Sequence, residues 1–269
     1  MNQSTQASSD FSLSKWYMDC IDPTGNVFIG YSAVMKWKKL RLYYANILYF
    51  DIVGNIETNT SFRQLPFPIL KQNNLTWTTS RLNIKGKWDG VDPLIQKNLL
   101  DGDLGGIVWQ CFQPKANAKI ELPNHTFLAG LGYTENLTMS IKPWELPITE
   151  LRWGRFLSEE DTVVWISWKG EENLDLLYYQ GNPVANPVIT DDLINLNQEE
   201  FFLTFSDKIV LRNGYPNSTA LSGRDGIKNI LPKRILNTYE CKWRSKGILT
   251  KPNKQISQGW VIHEVVKWD

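Results

Sequence analysis

Residues 126–157 read TFLAGLGYTENLTMSIKPWELPITELRWGRFL. In an extended chain Phe127, Ala129, Leu131, Tyr133, Leu137, Met139 and Ile141 share one face. Leu128, Gly130, Gly132, Thr134, Asn136, Thr138 and Ser140 share the other. Side chains alternate across a strand, so the segment predicts a β-strand with one apolar face and one face mostly small or polar. Glu135 interrupts the apolar face. A carboxylate there loses hydration unless it is paired or takes up a proton, which makes Glu135 the first candidate for chemistry. Gly130 and Gly132 mark where a bulge would reverse every later side chain.

The same alternation extends in both directions. Lys15–Ile21 alternates, Asp22-Pro-Thr-Gly-Asn26 is turn chemistry and Val27–Val34 returns as a second strand, so a hairpin is predicted. Leu40–Asp51 alternates again, and residues 54–74 read as a long connection. Residues 94–106 (LIQKNLLDGDLGG) read as a short helical turn entering a Gly-rich loop, after which Ile107, Trp109 and Cys111 alternate and Pro114 ends the strand. Short strands are predicted around Val163–Trp168, Leu174–Gln180, Phe201–Phe205 and Lys208–Leu211, with a loop over 181–200. Tyr239–Ile248 and Gly259–Trp268 close the chain as an antiparallel pair. No period near 3.6 residues persists over three turns, and turn signals recur about every ten residues, as in sandwiches and barrels. Sheets of this extent avoid exposed edges by closing. The expectation is an all-β chain of two consecutive antiparallel barrels, residues 1–145 and 146–269, joined near Pro143–Pro147.

Composition narrows the function classes. Of 269 residues 42% are hydrophobic, enough for a substantial core, and the 12 Trp are more than an ordinary core needs. That aromatic excess suits an apolar ligand pocket. Net charge is +1 with the signs mixed along the chain, so a nucleic-acid partner has no electrostatic support. Cys20, Cys111 and Cys241 are three and far apart. This suits buried thiols in a reducing cytoplasm better than a disulfide framework. The first fourteen residues lack the basic and apolar regions of a signal peptide, and no stretch approaches the length of a membrane span. Two His are too few for a three-His metal site, and His263-Glu264 is not followed by a second His at metalloprotease spacing. No metal and no cofactor are expected, and no dinucleotide fingerprint, P-loop or nucleophile elbow is present.

Other candidates flank Glu135. In the last predicted strand Trp260, Ile262, Glu264, Val266 and Trp268 share a face, again apolar with a single carboxylate. His263 lies on the opposite face and is read first as a structural histidine. Trp16, Tyr17 and Asp19 form a polar-aromatic cluster, with hairpin support the default role for Asp19. In Arg152-Trp-Gly-Arg155, Trp153 and Arg155 share a face. An Arg can fork to a carboxylate while stacking on an indole, so this is read as a framework device. Arg152 and Arg155 are also the partners that would turn Glu135 into a structural ion pair.

Several of these residues carry a resemblance. Gly130-Leu-Gly-Tyr-Thr-Glu135, Pro143-Trp144-x-Leu146-Pro147-Ile148 and Leu151-Arg-Trp-Gly-Arg-Phe156 are similar to the hydroxyneurosporene synthase group, the carotenoid 1,2-hydratases and AttH-like proteins. Lys15-Trp-Tyr-x-Asp19 and Gly259-Trp-Val-Ile-His-Glu264 resemble it as well. The resemblance implies two consecutive lipocalin-like (calycin) barrels. It also implies a lyase of the hydratase kind, or a cyclase, without cofactor. The hydratases carry Asp where this chain has Glu135 and Asn where it has Leu137. The expectation is an enzyme acting on an isoprenoid- or polyene-like molecule by acid-initiated hydration or cyclisation. Glu135, Glu264 and Tyr133 are its catalytic candidates, and Trp16, Asp19, Trp109, Trp144, Trp153, Arg155 and His263 its substrate-binding ones. The alternative is a lipocalin-type carrier that shelters the same lipophilic guest without reacting with it.

Overall fold

The computed structural model describes residues 10–123, 126–198, 200–216, 225–229, 231–252 and 254–268. Most of the N-terminal lead-in therefore lies outside the described residues. The fold is all-β. The first sheet contains β1 (Phe11–Ile21), β2 (Val27–Trp37), β3 (Leu40–Phe50), β4 (Ile56–Ser61), β5 (Ile69–Lys71), β6 (Asn74–Thr79), β7 (Ile84–Gly90), β8 (Ile95–Gly102), β9 (Gly105–Glu121) and β10 (Phe127–Met139). A single 3₁₀ turn, Pro143–Glu145, leads into the second sheet. There β11 (Ile148–Leu157), β12 (Thr162–Gly170), β13 (Leu174–Tyr179), β14 (Asn182–Pro183), β15 (Val188–Ile189), β16 (Leu193–Gln198), β17 (Phe201–Gly214), β18 (Tyr239–Thr250) and β19 (Ile256–Lys267) follow. Two helical turns, α1 (Asp225–Lys228) and α2 (Lys233–Leu236), interrupt it.

Both sheets are antiparallel, curled and built alike. The first runs β4-β3-β2-β1-β10-β9-β7-β6-β5 with β8 paired to β9. The second runs β14-β13-β12-β11-β19-β18-β17-β16-β15. In each, the first and last long strands pair at the centre, β1 with β10 and β11 with β19. The turns follow from local chemistry. Asp22 Oδ1 accepts from the backbone N–H groups of Thr24, Gly25 and Asn26 at 2.8–3.0 Å, and Gly25 takes φ +100°, a conformation that favours glycine. Asp51 does the same for Gly54 and Asn55, each at 2.9 Å.

Three readings of the sequence are corrected. Residues 94–106 are not a helical turn; they form the β8–β9 hairpin, closed at Gly105 with φ +118°. A register shift between Asn98 and Leu100 breaks the strand alternation there and makes the apolar spacing mimic a helix. Pro114 does not end its strand, because β9 runs through it to Glu121. The two register shifts of β9 against β10 fall beside it, and a bulge needs no ladder N–H from proline. Residues 54–74 and 181–200 are not wholly loop, since they hold the short strands β4, β5, β14, β15 and β16.

Each sheet buries a cluster of its own. Met18, Phe28, Trp77, Trp88 and Ile120 pack within the first, and Phe156, Val163, Trp165, Leu203 and Val261 within the second. A third cluster draws on both sheets, including Tyr17, Tyr31, Trp109, Tyr133, Trp153, Ile166, Trp168 and Ile262, and forms the seam between them. Among the described residues no helix is long and apolar enough to cross a membrane.

Candidate active site

The seam encloses a cavity of about 470 Å³, within the range of small-molecule sites. Leu13, Ile107, Leu137 and Met139 line it from the first sheet; Ile148, Leu151, Ile166, Val266, Trp168 and Trp268 line it from the second. Glu135 opens onto this space. Its orientation follows from the central pairing: β10 meets β1 without a break from Leu131 to Met139, with Glu135 opposite Tyr17. The bulge that Gly130 and Gly132 invited occurs on the neighbouring strand instead. β9 carries the extra residues opposite Tyr133 and Glu135, so β10 keeps its parity and Glu135 stays on the apolar face.

Neither Arg152 nor Arg155 pairs with Glu135. Arg152 binds Glu150 and Asp191, and Arg155 binds Asp19. Three neutral donors converge on one carboxylate oxygen instead. Glu135 Oε2 accepts from Trp109 Nε1 at 2.6 Å, Tyr133 Oη at 2.6 Å and Trp153 Nε1 at 3.2 Å. Among the described residues none donates to Oε1. Burial pushes the Glu135 carboxyl above its ordinary value, against the pull of Tyr133, Trp109 and the more distant Lys15 ammonium. A neutral acid with three donors on Oε2 carries its proton on Oε1.

Glu264 is in the opposite condition. It stands across from Lys242 in the β18–β19 pair and forms an ion pair with its buried ammonium. Burial pushes Glu264 up, but Lys242 outweighs it together with Lys15 and Arg212, so the carboxyl lies below its ordinary value. The Lys242 ammonium also sits 5.2 Å from the Trp153 ring and 5.3 Å from that of Tyr17, a cation–π position. Two carboxyl groups on one cavity thus have pKa values displaced in opposite directions, the usual mark of a divided acid and base.

The remaining candidates separate. Trp109, Trp153, Tyr133, Glu135 and Glu264 come together at the cavity wall. Asp19 and Arg155, both fully buried, form a forked ion pair (Nε to Oδ2 3.1 Å, Nη2 to Oδ1 2.8 Å) that joins β1 to β11 beneath the cavity. Burial pushes the Asp19 carboxyl up while Arg155 and Tyr17 pull it down. Trp144 lies beside the cavity, its ring 4.8 Å from Trp37 and 5.7 Å from Phe11. Its carbonyl accepts from Arg234 at 3.0 Å. Trp16 points away and stacks on Phe112. His263 also faces away, stacked on Trp243 with Nε2 3.0 Å from Ser245 Oγ, and burial lowers its pKa to about 3. Four charged residues escaped the sequence reading: Lys15, Arg212 and Glu240, which line the cavity, and Lys242 behind it. For Lys242 a signal existed. Centring the last hairpin on the Lys251–Gln255 turn places it opposite Glu264.

Two like-built sheets with a shared seam also occur in known proteins. No protein-family model matches the sequence, nor does any curated protein. Solved structures do match. CghA aligns with a TM-score of 0.58 at 10% identity, over 97% of this chain and 89% of that one. AttH-like NE1406 from Nitrosomonas europaea gives 0.55 at 8%, over 95% and 91%. Kievitone hydratase from Nectria haematococca gives 0.51 at 9%, over 94% and 88%. The chain shares its fold with these three solved structures. The 3₁₀ turn at Pro143–Glu145 connects the two sheets. Arg234 of α2 fastens that connector through the carbonyls of Trp144 and Ile148.

Proposed function

We propose that this chain is an enzyme of the hydratase or cyclase kind. It protonates a carbon–carbon double bond of an apolar, isoprenoid- or polyene-like small molecule held in the seam cavity. The observation that carries the reading is Glu135: a carboxyl in an aromatic wall, ion-paired to no arginine, with every donor on Oε2 and a raised pKa. Alkene protonation needs an acid kept neutral until the substrate arrives, and burial provides it. The proton passes from Oε1 to the alkene carbon and leaves a carbocation, while the new carboxylate is stabilised by the indoles of Trp109 and Trp153 and the phenol of Tyr133. The faces of Trp153 and Trp168 lie on the same wall to stabilise the cation. In a hydration, water then adds to the cation and gives its proton to Glu264, held ionised by Lys242. Glu264 passes that proton to solvent and solvent returns one to Glu135 by way of Tyr133, so the cycle adds one water and consumes no acid. In a cyclisation, a second double bond of the substrate attacks the cation, and the ring cation then loses a proton to Glu264 to leave a new double bond. One of the fold relatives is named a hydratase, which agrees with this class of reaction.

The test is incubation with a panel of prenylated phenols and linear isoprenoids in D₂O. Mass spectrometry then reads deuterium fixed to carbon. Turnover by the wild-type chain and none by a folded Glu135→Gln variant supports the assignment. A Glu135→Gln variant that still fixes deuterium overturns it. A wild-type chain that binds a panel member without converting it favours the carrier.

A further inference from the structure

Five ionisable side chains other than tyrosine line the seam cavity: Lys15, Glu135, Arg212, Glu240 and Glu264. Glu264 has Lys242 as its own counter-ion, and Glu240 has Arg212 at 3.8 Å. Lys15 is left over. Among the described residues no carboxylate oxygen lies within 4.0 Å of its Nζ, which rests instead 5.3 Å from the centre of the Tyr31 ring. The Arg212 guanidinium approaches the same ring at 5.5 Å and donates to Asn46 Oδ1 at 2.8 Å. Lys15 is fixed in place by the β1 ladder, between Ala33 of β2 and Leu137 of β10. Glu135, kept protonated, does not neutralise it, and Glu240 and Glu264 have closer cations of their own, so an ammonium on this apolar wall is an unfilled anion site.

We infer that Lys15, seconded by Arg212 across Tyr31, binds an anionic oxygen of the substrate. The molecule this cavity takes is then an apolar body carrying one acidic head group, a carboxylate, enolate or phenolate. The inference rests on reading the cavity as the substrate site and deepens it. Glu135 and Glu264 act on the apolar part, while the Lys15 end fixes which way the molecule enters. Tyr31 and Tyr44 complete this end as phenols, both pushed up by burial and so available as neutral donors. An anion bound at Lys15 also offsets a lysine charge that favours ionisation of Glu135. The substrate's own head group therefore helps to keep the acid protonated.

The experiment uses two fluorescent probes with the same aromatic body and needs no turnover. One is anionic, 8-anilinonaphthalene-1-sulfonate, and the other is neutral, N-phenyl-1-naphthylamine. The wild-type chain should bind the sulfonate more tightly. Lys15→Met should weaken sulfonate binding about tenfold or more, the scale of one charge-assisted hydrogen bond, and leave the neutral probe unchanged. Lys15→Arg and Glu135→Gln should both keep the preference. Equal affinity for the two probes in the wild type, or a Lys15→Met variant with unaltered sulfonate binding, overturns the anion site. The acid assignment is then still judged by deuterium fixation. Failure of both probes to bind the wild type overturns the anion site and the reading of the cavity together.

Discussion

Asp19→Ala should cost about 3–5 kcal/mol of stability, the range for removing one partner of a buried ion pair. The structure places this change at the top of that range. Both side chains are fully excluded from solvent, and the carboxylate takes two guanidinium donors and the Tyr17 hydroxyl at 3.0 Å. Without it, Arg155 keeps a hydrogen bond only to the Trp260 carbonyl, at 2.9 Å. Two of its donors lose their charged acceptor within the seam. Against a total of about 5–15 kcal/mol for an ordinary domain, the loss would be visible as a large fall in the urea midpoint. Asp19→Leu combined with Arg155→Met removes both charges and should recover most of the deficit, because the penalty comes from the stranded partner. A Asp19→Ala variant within about 1 kcal/mol of wild type, or a double variant as unstable as the single one, would refute this account of the seam.

Hydration that needs protonated Glu135 and ionised Glu264 should give a bell-shaped pH–rate profile, falling as pH rises through the raised pKa of Glu135 and as pH drops through the lowered pKa of Glu264. Glu135 also contributes stability that is present below its unfolded pKa and lost as pH rises through the folded one. Lys242→Met should strand Glu264, raise its pKa and cost about 3–5 kcal/mol in urea unfolding at neutral pH, with less lost at acid pH where the carboxyl takes up a proton. His263 stays neutral when folded and protonates when unfolded, so it should remove stability as pH falls from about 6.5. The expected loss is about 2 kcal/mol between pH 7 and 5. His263→Phe should flatten that part of the stability–pH curve.

How far the site could be read from the sequence depended on distance along the chain. Glu135 was legible because strict alternation from Leu131 to Met139 survives in the β1–β10 ladder. Trp109 and Trp153 stood out as indoles on predicted strands, but their meeting on Oε2 joins residues 26 and 18 positions away. No local pattern encodes that. The sequence marks Asp19 and Arg155 separately and suggests only a local role for each. Their actual bond spans 136 positions and two sheets, which only the docked seam creates. Pro114 misled for a physical reason: proline ends a strand unless a bulge removes the need for its N–H, and the bulge is fixed by β10, not by β9 itself. Of the many Trp, the sequence could not say which would fill cores. Trp77, Trp88 and Trp165 do so, while Trp109, Trp153 and Trp168 face the seam.

That division ties the chemistry to the docking of the two sheets. Each sheet spends its own cluster on packing, and the space for a guest remains where the sheets meet. Glu135 keeps its proton because that meeting withdraws it from bulk water, and the meeting is held by Asp19 and Arg155. Tyr17 connects the two facts physically. Its hydroxyl donates to Asp19, and its ring edge packs 4.9 Å from Trp153 and 6.0 Å from Tyr133, two of the three groups that hold Oε2. A change that loosens the ion pair therefore admits water to the carboxyl, lowers its pKa toward the ordinary value and misplaces its donors at once. Seam stability and the protonated fraction of Glu135 at neutral pH should then fall together across a series of Asp19, Arg155 and Tyr17 variants, although none of these residues lines the cavity.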